Sequence, residues 1–285
     1  MDPHDEDGKQ TENRNIHRVS MVLDALAGTR AGLRLTDLAE RVQLGKSTVH
    51  RLLAGLVANK MVELDEDTGR YFLGLKVLAW SNAVKNRFAF ARLAEPALER
   101  IAQRTHDTVY LVARVGDDIV CVDCREGSYP IKVLTLGVGD RRPLGIGAGS
   151  MAILSALPDE EVERVLETQA PERARFPFDD LQLRQMIASA RRDGYAYNNV
   201  HLFHGMEKVP GMAAIAVPIR RPDGWPVAAL HVTTITARLD PPRRDSVLAI
   251  LTKECRQLEA QYGAVLENMG RADPSLRAGS AGLMH

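Results

Sequence analysis

The sequence predicts a two-domain protein of the α+β class, in which a small helical domain precedes a larger domain of mixed strands and helices. At 285 residues the chain exceeds one average domain and suits two. Near the N-terminus, apolar residues repeat at helical spacing. Farther along, β-rich segments are paired around short turns, with helices between and after them. This order favours an antiparallel sheet over a doubly wound parallel one.

The composition excludes several classes of protein. With 45% hydrophobic and 26% charged residues, neither disorder nor membrane residence is expected. No apolar run approaches the roughly 18 residues that span a bilayer, and the polar N-terminus is not signal-like, so we expect a cytoplasmic protein. The odd set of Cys121, Cys124 and Cys255 indicates reduced thiols. Because 37 basic residues balance 37 acidic ones, any attraction to nucleic acid must be local.

The first domain is predicted to begin with two helices. Residues 1–13 have almost no apolar side chains and are expected to form a disordered tail. A first helix follows, with Gly28 as a suitable stop. Its apolar face comprises Val19, Val22, Leu23 and Leu26. A second helix is predicted over residues 36–42, where the Thr36 hydroxyl is suited to cap the first turn.

A third helix and a hairpin complete this domain. The helix is predicted over residues 46–58, after a break at residues 43–45. Its core face comprises Val49, Leu52, Leu53 and Leu56. Strand-like runs at residues 61–64 and 71–73 flank a polar, turn-rich loop. Three helices and a hairpin predict a winged helix, which we place at residues 14–75.

The second and third helices are predicted to form a helix-turn-helix that reads DNA. Both are short and amphipathic, and a turn containing a glycine joins them. In this motif the N-terminal end of the recognition helix enters the major groove, where hydroxyls, cations and imidazoles reach bases and phosphates. No acidic residue lies between residues 43 and 62. The candidate DNA-binding residues are Thr36, Lys46, Ser47, Thr48, His50, Arg51 and Arg70.

Two of these assignments have a simpler alternative. Taken singly, Lys46 and Arg51 are more often solvated surface charges than base readers. A three-helix unit with a hairpin could serve only for packing or dimerisation, although the acid-free window and the Lys-Ser-Thr-x-His-Arg run favour DNA. Arg70, beside Gly69 at the expected tip of the wing, is placed to touch the adjacent backbone or minor groove.

The remaining residues are predicted to form a linker, a second domain and a tail. A helix at residues 76–90 is expected to connect the domains, and residues 267–285 are expected to be flexible. In the second domain, residues 91–266, two hairpins are predicted, with strands at 109–114, 119–123, 213–220 and 226–234. Helices are predicted at 147–156, 159–168, 179–192 and 242–266.

Five segments resemble the IclR family of bacterial regulators. They are LTDLAERVQLGKSTVHRLLAGLV, GRYFLGLKVL, RPLGIGAGSMAILSAL, DGYAYNN and GMAAIAVPIRRPDGWPVAALHVTT, spread between residues 14 and 262. The resemblance implies a winged helix-turn-helix, a linker helix and a GAF-like effector-binding domain, assembled as a homodimer or a dimer of dimers.

The chain departs from this family in two places. A longer segment at residues 197–210 replaces a short acidic stretch, and Ala214 stands where the family frequently has cysteine. Both changes fall where the ligand is expected to bind, so the resemblance does not imply which effector is bound.

By the same resemblance, an effector pocket is expected in the second domain. Its lining would comprise Gly147, Ala148 and Gly149 at a helix start, Asn198 and Ala214, and the inward positions of the last strand. Strand alternation places His231 and Thr233 on one face of that strand. Glycines at a helix N-terminus suit an anion, so we expect a small carboxylate or an aromatic acid. A core histidine with satisfied hydrogen bonds is the alternative interpretation of His231.

No metal or other cofactor is expected. On a regular strand Cys121 and Cys124 would face opposite sides, and histidines in loops, such as His201 and His204, are usually solvated. The Gly147-x-Gly149-Ser150 segment lacks the lysine and the spacing of a phosphate-binding loop.

These features favour a ligand-responsive regulator of a catabolic operon, whose partners are double-stranded DNA, a small effector and further copies of itself, with no membrane. An enzyme is the first alternative, but no Ser/His/Asp or Cys/His set is recognisable. A ligand-independent architectural DNA-binding protein is the second, and the size of the second domain argues against it.

Overall fold

The computed structural model describes the backbone of residues 3–87, 89–198 and 211–272, and the side chains of residues 14–81, 91–198 and 211–264. The chain forms two compact units, Met1–Arg87 and Phe88–His285. Within the described segments, no helix has both the length and the apolarity to cross a bilayer.

The first unit has the predicted helices and hairpin around one small core. Its helices are α1 (Pro3–Ala27), α2 (Leu35–Arg41), α3 (Lys46–Ala58) and α4 (Leu75–Arg87), and its strands are β1 (Leu33–Arg34), β2 (Val62–Asp65) and β3 (Arg70–Leu73). The strands form an antiparallel sheet in the order β1-β3-β2. Val22, Leu38, Val49 and Leu53 are fully buried, so the periodic apolar positions of three helices meet in this core.

The first helix begins earlier than the sequence predicts. α1 includes most of residues 1–13, which we expected to be a disordered tail. Pro3 occupies the first helical position, where the missing N–H costs no hydrogen bond. The preference of the local sequence for a helix, rather than burial, therefore extends α1 well before Val22, the first buried residue among those described.

Thr36 is not the cap of α2, contrary to the prediction. The helix begins at Leu35 with Arg34 as its N-cap, and no side chain caps it. The Thr36 hydroxyl instead donates to the Asp37 carboxylate at 3.1 Å. Arg34 is paired with Arg70 in the sheet, so its backbone is extended. The helix begins directly after this strand, one residue before the predicted start at Thr36.

The second unit is built on a six-stranded sheet with helices on both faces. Its strands are β4 (Thr108–Val115), β5 (Asp118–Arg125), β6 (Arg141–Pro143), β7 (Ala196–Asn198), β8 (Met212–Arg220) and β9 (Pro226–Ile235), in the order β6-β5-β4-β9-β8-β7. Every pairing is antiparallel, as the sequence predicts. Its helices are α5 (Ala89–Thr105), α6 (Ala148–Ser155), α7 (Asp159–Thr168), α8 (Ala170–Arg173), α9 (Asp180–Asp193) and α10 (Pro241–Ala272).

The two faces of this sheet bury different cores. On one face, Leu230 and Val232 of β9 pack with α5 and α10 through Leu98 and Leu251. On the other face, residues of β4 and β9 pack with α6, α7 and α9. The second core surrounds the N-terminal end of α6, where the sequence places the effector pocket.

A β-bulge corrects the predicted orientation of two cysteines. In the β4–β5 pairing, Tyr110 lies opposite Cys124 and Val112 lies opposite Cys121, with a shift in register between them. The extra residue returns Cys121 and Cys124 to the same face of the sheet, although residues three apart on a regular strand would face opposite sides. Cys121 is buried in the core beneath α6, and Cys124 packs against that core.

Candidate DNA-binding face and effector pocket

The turn between α2 and α3 sets the start of the candidate recognition helix. Gln43 adopts a left-handed backbone conformation with φ of 53°, which reverses the chain. Gly45 is the N-cap of α3, and its carbonyl accepts hydrogen bonds from the N–H groups of Thr48 and Val49 at 2.9 and 3.1 Å. No side chain caps this helix, so its first N–H groups are available to a phosphate.

The predicted DNA-binding side chains of α3 form one exposed face. Val49, Leu53 and Leu56 are buried. Lys46, Ser47, His50 and Arg51 are exposed, and Thr48 is half-buried. Neither Lys46 nor Arg51 forms an ion pair with any side chain that the structure describes. These two cations therefore keep their charge available for an external anion.

Arg70 lies elsewhere than the sequence predicts. It is the first residue of β3, below the tip of the wing, and its guanidinium donates to the carbonyls of Gly32 at 2.9 Å and Ala31 at 3.4 Å. The exposed tip itself carries Glu66 and Asp67. Arg70 thus holds the sheet to the end of the α1–β1 connection. Because the wing tip is acidic, α3 is the stronger candidate for contact with DNA phosphates. The exposed Thr36 lies in the first turn of α2.

The wing loop is organised by its own carboxylate. Asp65 accepts hydrogen bonds from the Thr68 hydroxyl at 2.7 Å and from the Asp67 N–H at 3.1 Å. The Thr68 hydrogen bond is the main cause that lowers the pKa of Asp65 below its usual value. The acid is therefore ionised while it holds this turn.

All seven predicted effector residues line one cavity in the second unit. The cavity is small, with a volume of about 20 Å³, and is open in part to solvent. The predicted residues are Gly147, Ala148, Gly149, Asn198, Ala214, His231 and Thr233, and the lining that the sequence did not single out includes Val112, Ile119, Thr135, Arg142 and Met212. Asn198, Ala214 and Thr233 are direct neighbours across β7, β8 and β9. Sheet register thus unites residues that are distant in sequence.

The N-terminal end of α6 forms one wall of the cavity. Gly147 is its N-cap with φ of 88°, a conformation that favours glycine. Gly149 lies against the sheet, because a Cβ there would be 2.6 Å from Nδ1 of His231 and 2.9 Å from Cγ2 of Val112. The first N–H groups of α6 have no partners within the helix, so this wall presents hydrogen-bond donors.

Two polar atoms on β9 are buried without a hydrogen-bond partner among the residues that the structure describes. They are Nδ1 of His231 and Oγ1 of Thr233, in residues that are 5% and 2% exposed. Burial, with a smaller contribution from the Arg142 charge, lowers the pKa of His231 to about 3. The ring is therefore neutral at physiological pH and stacks on Tyr110 at 4.8 Å between centroids. Among the described residues Nδ1 has no hydrogen-bond partner, which favours a pocket histidine over a fully hydrogen-bonded core histidine.

Arg142 is a charged residue of the cavity lining that the sequence pattern did not indicate. It lies on β6, opposite Ile119, and is only 8% exposed. Its Nη2 donates to the Thr135 carbonyl, and Nη1 lies 3.5 Å from the position that a Cβ on Gly147 would take. The available signal was the Arg141-Arg142 pair directly before the glycine-rich helix start, but sequence does not show which of the two arginines is buried.

The loop over the cavity is tied to the sheet by a tyrosine and an acid. The Tyr110 hydroxyl donates to the Val133 carbonyl at 3.3 Å and accepts the Thr135 N–H at 3.2 Å.

Nearby, the buried Asp107 accepts hydrogen bonds from Thr234, Arg238 and Arg243. Arg238 stacks on Tyr129 of the same loop at 3.5 Å. The lining of the pocket is therefore linked to the start of α10.

The described residues contain no cluster of three or more His, Cys, Asp or Glu that could hold a metal ion. All three cysteines are free. Burial raises the pKa of Cys121 to about 12 and also raises the pKa of Cys124, so both are protonated thiols at neutral pH. His201 and His204 lie outside the described residues.

Comparisons with known proteins agree in both parts of the chain. Residues 83–260 match the family model "Bacterial transcriptional regulator IclR C-terminal", and residues 16–66 match "IclR helix-turn-helix domain". The chain is 28% identical over 251 residues to the HTH-type transcriptional regulator BhcR of Paracoccus denitrificans, covering 86% of each chain. It is 26% identical over 251 residues to KdgR of Escherichia coli, covering 87% of this chain and 92% of that one.

Solved structures share the fold. The IclR transcriptional regulator from Alicyclobacillus acidocaldarius matches with a TM-score of 0.72 and 22% identity, covering 87% of this chain and 98% of the other. An IclR homolog from Microbacterium hydrocarbonoxydans, solved in complex with 4-hydroxybenzoate, matches with a TM-score of 0.65 and 24% identity, covering 86% and 98%.

Proposed function

The chain belongs to the IclR family of bacterial transcriptional regulators, and we propose that it controls a catabolic operon in response to a small carboxylate or aromatic acid. It is a regulator with a DNA-binding and an effector-binding domain rather than an enzyme, as are its named relatives. The class of ligand, the residues that bind it and the catabolic role of the regulated genes are what we propose.

One observation carries the ligand part of the proposal. Nδ1 of His231 and Oγ1 of Thr233 are buried in the wall of a single cavity, and neither has a hydrogen-bond partner in the described part of the chain. A buried polar atom without a hydrogen bond costs about 1–3 kcal/mol, which a polar ligand would recover on binding. The neighbouring N-terminus of α6 and the Arg142 guanidinium both favour an anion. A carboxylate with a further polar group meets all of these requirements.

The exposed face of α3 supports the DNA-binding part. Lys46, Ser47, His50 and Arg51 are solvent-exposed at the end of the helix that enters the major groove in this motif. A single helix-turn-helix covers one half-site, so we propose that a homodimer or a dimer of dimers binds a roughly palindromic operator.

The two parts are proposed to be coupled. Effector binding changes DNA affinity only if the effector binds more tightly to one arrangement of the DNA-binding domains than to the other. A typical coupling free energy of about 1–3 kcal/mol would change operator affinity by roughly 5- to 150-fold.

A gel-shift titration on effector-saturated and effector-free protein tests this coupling. The DNA is a genomic fragment that the protein itself selects, and the effector is a hit from a calorimetric screen of carboxylic and aromatic acids. The proposal expects a change of at least fivefold in DNA affinity, with sites beside catabolic genes. DNA affinity that is the same with every bound acid would contradict the coupling, and sites far from such genes would contradict the operon.

A further inference from the structure

The second unit has a groove at one edge of its sheet, apart from the cavity at the start of α6. β7 is the last strand in the sheet order, so only one of its sides is paired. Beside it, residues of α6, α9 and α10 border a groove of about 680 Å³ that is open in part to solvent. Small-molecule sites have volumes of about 300–1,000 Å³. The groove shares no lining residue with the cavity, so it is a separate place for a ligand.

The walls of the groove are aromatic and thioether side chains that the cores bury only in part. Phe178 and Met186 pack against the core beneath α6, and Tyr195 and Tyr197 pack against the core beneath α5 and α10. All four are half-buried. The part of each side chain that is not packed in a core is left to line the groove. Concave surfaces lined by aromatic and flexible apolar side chains are typical of ligand sites.

Local geometry brings these walls together. α9 ends at Gly194, whose left-handed conformation with φ of 76° turns the chain directly into β7. Met186 and Ser189 lie on one face of α9, because they are three residues apart. Tyr195 and Tyr197 lie on one side of the strand, because they are two residues apart. The groove therefore lies between a helix face and a strand face that are consecutive in the chain.

Arg244 supplies a positive charge to this groove. Its side chain lines the groove, with the guanidinium carbon 5.1 Å from the centre of the Tyr197 ring. Among the described side chains it has no ion-pair partner, and its Nε is buried there without a hydrogen bond. The face of an aromatic ring attracts a cation but does not neutralise it. An anion in the groove would therefore meet a positive charge that the described side chains leave unpaired.

The charged neighbours of Arg244 are paired. Arg243, the preceding residue, donates to the buried Asp107 at 2.7 Å. Asp193, the acid in the groove lining, accepts from Arg192 at 3.0 Å. Arg243 thus holds the fold together, and the carboxylate of Asp193 has its own cation. Arg244 differs from both, because its charge is directed to the groove without a carboxylate of the described chain.

From this arrangement we propose that the groove is a second ligand site and that it binds an aromatic monocarboxylate. The ring packs among Phe178, Met186 and the two tyrosines, and the carboxylate pairs with Arg244. A guanidinium is suited to this role, because it matches the geometry of a carboxylate and stacks on aromatic faces. The inference goes beyond the proposed function and depends neither on the ligand of the α6 cavity nor on coupling to DNA.

Calorimetry on the full-length protein with three probes tests the chemistry of the site. Phenylacetate carries the ring and the charge, phenylacetamide lacks the charge and acetate lacks the ring. The unaltered protein is expected to bind phenylacetate at least about tenfold more tightly than either of the others, because hydrogen bonds to charged groups are strong and a buried ring adds apolar contact.

Variants locate the binding in the groove. Arg244→Met keeps the length of the side chain and should abolish the preference for phenylacetate over phenylacetamide. Arg256→Met, an exposed arginine of the same helix outside the groove lining, is the matched control and should leave all three affinities unchanged. Met186→Glu should weaken phenylacetate binding by about tenfold or more through charge repulsion, and Met186→Gln, of the same size without the charge, should weaken it less.

Several outcomes would overturn the inference. They are equal binding of acid and amide by the unaltered protein, unchanged phenylacetate affinity in Arg244→Met, and binding of none of the probes. Phenylacetate affinity that falls in Thr233→Val but not in Arg244→Met would place the acid in the α6 cavity, which contradicts the inference and leaves the proposed function intact.

Other occupants of the groove give different results. If Met186→Glu loses thermal stability while phenylacetate affinity is unchanged, the protein fills the groove with its own residues. If the same variant loses an oligomer in native mass measurements, a second copy of the chain fills it. Either result would overturn the inference. If phenylacetate binds as expected and no acid changes DNA affinity, the coupling in the proposed function fails while the inference stands.

Discussion

At His231, burial and a neighbouring cation act in the same direction. Both disfavour the imidazolium, and the pKa falls from 6.5 to about 3. The neutral ring can stack on Tyr110 and still offer a nitrogen to a ligand. The side chain is therefore kept in one protonation state throughout the physiological pH range.

This shift predicts a pH dependence of stability. Between pH 6.5 and about 3 the unfolded chain binds a proton at His231 and the folded chain does not, so acidification through this window favours unfolding. The contribution is fully present above pH 6.5 and is lost at up to about 1.4 kcal/mol per pH unit below it. Urea unfolding of His231→Gln should show a shallower decline than the unaltered protein. Thr233→Val, a non-titrating change on the same strand face, should show the original slope, and equal slopes for all three proteins would refute the assignment.

Two helical glycines are expected to respond oppositely to the same substitution. In Gly149→Ala the new methyl would meet His231 and Val112, so about 1–3 kcal/mol of stability should be lost. In Gly55→Ala the methyl would meet nothing within 4 Å, and about 0.5–1 kcal/mol should be gained through lower entropy of the unfolded chain. Chemical denaturation measures both changes. A loss of stability in Gly55→Ala, or none in Gly149→Ala, would contradict the contacts described.

At the scale of elements, α3 begins without a side-chain cap, which offers a test of charge at the DNA-binding end. Gly45 has φ of −60° and ψ of 141°, and a Cβ there meets nothing within 4 Å. Gly45→Ser and Gly45→Asp should both stabilise the fold by a few tenths of a kcal/mol, because both side chains can cap the helix.

The same pair should differ in DNA binding. Only Gly45→Asp places a negative charge where a phosphate is expected, so it should weaken binding by about tenfold or more, while Gly45→Ser stays close to the unaltered protein. Gel shifts at fixed salt concentration measure this. Equal affinities for the two variants would show that the N-terminus of α3 does not face the DNA backbone.

Elements with clear periodicity were predictable, and short or irregular ones were not. The core face of α3 and the hairpins followed from repeated apolar residues, because burial requires them at these spacings. The bulge that realigns Cys121 and Cys124 left no such trace, since one extra residue changes register without changing composition. Arg142 was missed for a related reason, because β6 is three residues long and follows an irregular loop.

Polar side chains were the least predictable part of the candidate sites. Exposure of Lys46, His50 and Arg51 followed from helical geometry alone. The hydrogen bond from Arg70 to the carbonyl of Gly32, 38 residues away, depends on the folded sheet. The sheet also determines that Arg34, rather than Thr36, is the N-cap of α2. Seven pocket residues came instead from family resemblance, and the structure brings all seven to one cavity.

At the scale of the whole molecule, the chain forms two compact units, and each carries a different kind of polar group. The first presents cations on α3 that have no acidic partner among the described side chains. The second encloses a buried cation and buried polar atoms for which the described segments offer no hydrogen-bond partner. A ligand-responsive regulator needs both, because effector binding in one unit must change the affinity of the other unit for DNA.

The α3 face is proposed to read the operator, and removal of the polar side chains of that face tests this most directly. The measurement is a gel shift of Lys46→Gln/Thr48→Val/Arg51→Gln on a genomic fragment selected by the unaltered protein, with non-specific DNA as competitor. We predict a loss of at least about a hundredfold in specific affinity, with effector binding unchanged. Binding as tight and as selective as that of the unaltered protein would contradict the account.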